Sequence, residues 1–160
     1  MIQQVRLTLP NKPGTLEQAV RALARAGVDM KALEVYTGKA SRGEVHMIVS
    51  SPAQAQKALE ASGHDVALED VVVVEVTDQV GGLAAILGTL AAASVNVEHL
   101  YAFVTRVAGK SLCVLTVDAP AKAESLLTGA GHRVATQGTI EESTKPDASM
   151  GAHLGLDYFW

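Results

Sequence analysis

Val5, Leu7 and Leu9 alternate with polar residues near the N-terminus, the period of a half-buried strand. Pro13 and Gly14 break that alternation. Leu16, Val20 and Leu23 then recur at helical spacing, and Gly27 ends the run. Residues 28–37 read as a second strand, 38–43 as a polar turn and 44–50 as a third strand. Pro52 opens a second helix, Gly63 closes it, and 65–69 completes the set as a fourth strand. The same order begins again at Val71 and runs to about Thr136.

The two halves match residue by residue. Asn11-Lys-Pro-Gly14-Thr-Leu16 aligns with Asp78-Gln-Val-Gly81-Gly-Leu83. In the same register Val28 meets Val95, Asp29 meets Asn96, Leu33 meets Leu100 and Tyr36 meets Phe103. After one inserted residue near the central hairpin, Pro52 meets Pro120 and Gly63-His64 meets Gly131-His132. An internal repeat of this length is one supersecondary unit used twice. The βαββαβ order predicts an α+β chain of two tandem ferredoxin-like units, each an antiparallel sheet with its helices on one face. The expected boundaries are 1–69 for the first unit, 70–137 for the second, and 138–160 for a flexible linker and apolar tail. Two such units can pair side by side and share a larger sheet.

Composition narrows the function. The chain has 160 residues, 48% of them hydrophobic and only 4% aromatic, so Val, Leu, Ile and Ala must build the core. Its formal net charge of −4 disfavours nonspecific nucleic-acid binding, which depends on clustered Lys and Arg. The central strands also lack the aromatics that stack RNA bases. Cys113 is the only cysteine, so no internal disulfide can form, in keeping with a cytoplasmic protein. Residues 79–97 carry no charge. Their glycines, alanines and polar residues, and the arginines Arg21 and Arg25 of the matching helix, argue against a membrane span. The histidines show no metal-ligand spacing, and no Ser-His-Asp or paired-carboxylate arrangement is legible. No enzyme activity, metal or cofactor is expected.

Asn11-x-Pro13-Gly14-x-Leu16, followed one helix later by Gly27-Val28-Asp29-Met30, resembles the ACT domain family of amino-acid-sensing regulatory modules. The second half shows Asp78-x-Val80-Gly81-x-Leu83 and then Ser94-Val95-Asn96-Val97, departing from the pattern at Asp78 and Val80. The resemblance covers residues 2–136. It implies a free amino acid bound between paired domains, held by the first loop of one domain and the second-strand start of its neighbour. The implied contacts are Asn11, Pro13, Gly14, Thr15, Leu16 and Asp29 in the first unit. In the second they are Asp78, Val80, Gly81, Gly82, Leu83 and Asn96. A homodimer is implied, and the alternative is a regulatory subunit acting in trans on an enzyme of amino-acid metabolism.

Physical chemistry supports both a binding and a structural reading of these residues. A glycine where a strand turns into a helix lets the backbone approach a ligand. The first-turn N–H groups of the helix suit a carboxylate, and Asn or Asp side chains suit an ammonium group. Equally, Asn11 and Asp78 are residue types that cap helices, and Asn-x-Pro-Gly is turn chemistry. Two further features stand outside the resemblance. Gly82 to Ala93 is a helix with no charge on any face, which predicts that something covers it. The tail ends in Tyr158-Phe159-Trp160, half of the chain's aromatics, and is expected to dock on an apolar surface.

Overall fold

The computed structural model describes residues 1–37, 41–77, 79–103 and 111–142. The elements are β1 (Ile2–Pro10), α1 (Thr15–Arg25), β2 (Met30–Tyr36), β3 (Arg42–Val49), α2 (Pro52–Ala61) and β4 (Asp65–Val76). They continue with α3 (Gly82–Ala92), β5 (Val97–Ala102), β6 (Ser111–Val117), α4 (Pro120–Gly129) and α5 (Gln137–Glu142). The expected tail residues 151–160 lie outside the described set, as does Asp78. Among the described residues no helix is long and apolar enough to cross a membrane.

The strands form one six-stranded antiparallel sheet in the order β2-β3-β1-β4-β6-β5. β4 is the shared strand. Its first half pairs with β1 (Thr8↔Asp65 to Ile2↔Val71) and its second half with β6 (Val72↔Leu115 to Val76↔Ser111). The expected boundary after Glu69 therefore falls inside a continuous strand. Alternation explains why no break is needed. Val66 and Leu68 pack on the helices of the first unit, and Val72, Val74 and Val76 on those of the second. All are even positions, so one pleated strand keeps the same face toward both helix pairs.

The odd positions of β4 face the other way, into a third core. There Ile2, Ala32, Ile48, Val71 and Val73 meet Tyr101, Phe103, Leu112 and Val114. The helix-free faces of the two units are thus turned toward each other, and the edge strands β2 and β5 come into contact. Each unit alone would leave this face to water; together they bury it. The helices lie outside, over separate cores centred on Ala19, Leu23 and Leu59 in one unit and Ile86, Leu90 and Leu127 in the other.

The second unit differs from the first at its end. The expected fourth strand is reduced to one bridge, Val74↔Val134, flanked by hydrogen bonds from Glu75 N to Arg133 O and from Ala135 N to Val73 O. Residues 138–142, expected within a flexible linker, instead belong to α5. Its Ile140 is wholly buried in the core between the units. A flexible segment has no apolar anchor to hold it; Ile140 supplies one.

Candidate functional site

Both candidate loops open a helix with a left-handed glycine. Gly14 (φ 88°) is the N-cap of α1 and Gly81 (φ 89°) that of α3. A Cβ at either position would meet nothing within 4 Å, so these glycines serve the backbone angle and leave the space in front of the loop open. Among the described residues no side chain caps either helix, and the N-cap residue of α1 is Gly14 rather than Asn11. The backbone N–H of Asn11 donates to Ser41 O. Thr15 Oγ1 donates to Pro10 O at 2.7 Å or Lys12 O at 3.0 Å, tying the loop to the end of β1.

In the second unit Gly82 replaces Thr15. A Cβ there would lie 2.4 Å from Thr77 O, so this loop folds more tightly than its counterpart and requires glycine for space. Val80 at its tip is fully exposed.

The first loop borders a cavity of about 150 Å3. Leu9, Leu16, Val35 and Val45 give it an apolar wall, while Asn11, Lys12, Thr15 and Thr37 add polar groups. The second loop borders a wider, open depression of about 570 Å3, lined by Thr77, Gln79, Val80, Gly81, Gly82 and Leu83 among others. The two loops, equivalent in sequence, are unequal in shape.

Asp29 and Asn96 sit elsewhere. Both follow a helix stop of one type: a left-handed residue, Gly27 (φ 67°) or Ser94 (φ 55°), then a valine whose N–H bonds back to Leu23 O or Leu90 O at 3.0 Å. The strand starts are then pinned. Asp29 N donates to Ser50 Oγ and accepts through its carbonyl from Ser50 N. Asn96 N likewise donates to Asp118 Oδ1 and its carbonyl accepts from Asp118 N. Loop and strand start lie at opposite ends of α1, an 11-residue helix and thus roughly 16 Å long. One unit cannot close both around one small ligand, and among the described residues the cavities at the two loops are lined only by residues of their own unit.

A polar cluster that the repeat does not announce lies on the inner face, between the units. The register sets Glu34 opposite His46, Arg6 opposite His46 and Gln4 opposite Glu69 in the first unit, and His99 opposite Thr116 in the second. The stacked units bring the rings of His46 and His99 to 4.5 Å between centroids. His99 Nε2 lies 2.6 Å from Glu34 Oε2, in contact but without the geometry of a directed hydrogen bond. Gln4, wholly buried, is the hub. Its Nε2 reaches Glu69 Oε2 (3.0 Å), His46 Nδ1 (3.1 Å) and Thr116 Oγ1 (3.4 Å), while its Oε1 accepts from the Tyr101 hydroxyl (3.0 Å). Burial pushes the Glu69 carboxyl upward, but hydrogen bonds from Gln4 and Arg6 outweigh that and hold it below its usual range. Burial raises the Tyr101 phenol, with Glu34 and Glu69 adding to the effect. The sequence showed no metal-ligand spacing for His46 and His99 and did not pair them. His46 has Val114 and His99 has Ala32 as its repeat partner, so repetition gave no signal. His64 and His132 do repeat, and both follow helix-ending glycines; His132 Nε2 contacts Thr89 Oγ1 at 3.2 Å.

Among the described residues no group of three or more His, Cys, Asp or Glu could hold a metal ion. Cys113 is a buried, free thiol pushed upward by burial. No curated protein matches the chain. Among solved structures it is similar to protein BT0572 from Bacteroides thetaiotaomicron, with a TM-score of 0.80 and 27% identity over 88% of this chain and 96% of that one. It also shares its fold with the regulatory subunit of aspartate kinase from Thermus thermophilus, at a TM-score of 0.61 and 21% identity over 81% and 90%. The family model for an ACT domain pair matches residues 1–135. With two βαββαβ units, a left-handed glycine opening the first helix of each, and that match over most of its length, this chain belongs to the ACT domain pair family.

Proposed function

We propose that the protein is a non-catalytic regulatory module that binds a free amino acid through its first loop. The observation that carries this reading is the small cavity lined by Asn11, Lys12 and Thr15 of the first loop, with its apolar wall and polar groups. Drug-sized ligands occupy roughly 300–1,000 Å3, so a cavity of about 150 Å3 suits a metabolite of a few heavy atoms. The first-turn amides of α1 and the Lys12 ammonium suit its carboxylate. Asn11 suits its ammonium group, and Leu9, Leu16, Val35 and Val45 suit an apolar side chain. Pro13, Gly14 and Thr15 shape the loop.

Because Asp29 and Asn96 lie a helix length from the loops, the full contact set needs a second copy of the chain. In the homodimer we propose, the loop of one copy meets a strand start of the other. Val80, Gly81, Gly82 and Leu83, with Asp78, form the weaker second site, since the depression there is open. Localisation in the cytoplasm fits this role. A thermal-shift screen of the twenty amino acids tests it: a ligand that binds only the folded state raises the melting temperature by mass action. The expected result is a shift with one or a few amino acids, lost in Asn11→Ala. No shift with any of them would overturn the reading.

A second reading is that the module is a regulatory subunit acting in trans on an enzyme of amino-acid metabolism. The exposed face of α3 favours it. Ala84, Ala85, Gly88 and Ala92 stand where α1 carries Glu17, Gln18, Arg21 and Arg25. A solved structure of similar fold is named as a regulatory subunit of aspartate kinase.

A further inference from the structure

The inner polar cluster has no part in the amino-acid site, yet it joins the two units. Its hydrogen bonds determine which proton sits where. Glu69 can only accept once ionised, so the Gln4 atom 3.0 Å from it is the NH2 group. Gln4 Oε1 is then the acceptor for Tyr101. The NH2 group also faces His46 Nδ1 at 3.1 Å, so Nδ1 must accept, and His46 is neutral with its proton on Nε2. That Nε2 lies 3.6 Å from Glu44 Oε2, without a hydrogen bond. A second proton would go to Nδ1, where donor would meet donor.

We propose that His46 is a proton-sensitive latch: neutral, it holds the inner faces of the two units together, and protonated, it releases the His46–His99 side of the seam. Charged and titratable groups face it from every neighbouring strand. Arg6 lies on β1, Glu34 on β2, Glu44 on β3, Glu69 on β4, and His99 and Tyr101 on β5; Thr116 is the neutral polar neighbour on β6. Glu69 and Glu44 favour a charge on His46. Burial and the adjacent His99 oppose it and prevail, holding the imidazole below its ordinary 6.5. A group lowered in the closed state binds its proton more readily when the seam is open. The closed form therefore has its full advantage above pH 6.5 and loses it as pH falls below. One proton shifts the balance by at most about tenfold per pH unit. Glu69, also lowered, loses its contribution only below the carboxylate value of 4.5, so the two windows separate.

The test is a titration of the full chain without ligand, from about pH 7.5 to about pH 5, following the His46 ring signals and the ring-to-ring contact with His99 by NMR. The expected result is a His46 midpoint below 6.5 and loss of the ring contact over the same interval. Urea midpoints are measured in parallel on wild type and His46→Asn, whose Oδ1 preserves an acceptor for Gln4 without titrating. The wild-type midpoint should fall across the interval and the variant's should stay level. A ring contact that persists through His46 protonation, or identical urea profiles, would overturn the latch. If the variant does not fold, the wild-type ring contact decides alone.

Discussion

Tyr101 of β5 donates a 3.0 Å hydrogen bond to Gln4 Oε1 of β1, joining residues 97 apart in sequence and in different units. Both side chains are buried, so neither can exchange this bond for water. Tyr101→Phe leaves the Gln4 carbonyl without its donor and should cost about 1–3 kcal/mol of stability, measured by urea unfolding. A spectrophotometric alkaline titration gives a second check. The Tyr101 phenol is raised by burial, so its ionisation should appear only with unfolding.

The loop glycines should respond unequally to alanine. At Gly14 and Gly81 a Cβ meets nothing, so the cost is the left-handed backbone alone, about 1–2 kcal/mol each. At Gly82 the φ angle is ordinary, but the Cβ would lie 2.4 Å from Thr77 O. The loop must move, and Gly82→Ala should cost about 1–3 kcal/mol. It should also change the chemical shifts of 76–84, which Gly14→Ala leaves untouched.

The repeat offers a paired test of the helix cores. Leu23 and Leu90 occupy the same place in α1 and α3, and both are buried. Leu→Ala at either should cost about 2–5 kcal/mol. Since the seam between the units also has a buried core, both variants should still unfold in one transition. Two separated transitions by calorimetry would mean that the units are energetically independent.

Val35 lines the first cavity yet is 40% exposed, so it tolerates a polar replacement. Val35→Glu places a carboxylate in the apolar wall proposed to hold the ligand's side chain. Binding of any amino acid found in the screen should weaken at least about tenfold, while the melting temperature without ligand changes by only a few degrees. Equal affinity in the variant would move the site away from this cavity.

Much of the local structure was legible because it depends on nearby residues. Alternation in Val5-Leu7-Leu9 marks a strand wherever its partners lie. Gly14, Gly27, Gly63, Gly81 and Gly131 all take the positive φ that only glycine adopts freely, so their spacing marked the turns. Ser94, in the place of Gly27, shows that the backbone shape survives where the residue does not. The repeat itself led to the ACT family, and the family model agrees.

The sequence by itself determined the two units, their order of elements up to α4 and the loops that open their first helices, because periodicity and turn chemistry act over a few residues. Only the tertiary structure decided that β4 runs unbroken from one unit into the next, that Ile140 anchors a short helix between them, and that His46 meets His99. Those outcomes depend on which face of one sheet covers which face of the other. Alternation says that a strand has two faces. It does not say what each will meet, and a polar residue such as Gln4 reads as solvent-facing until a second sheet closes over it.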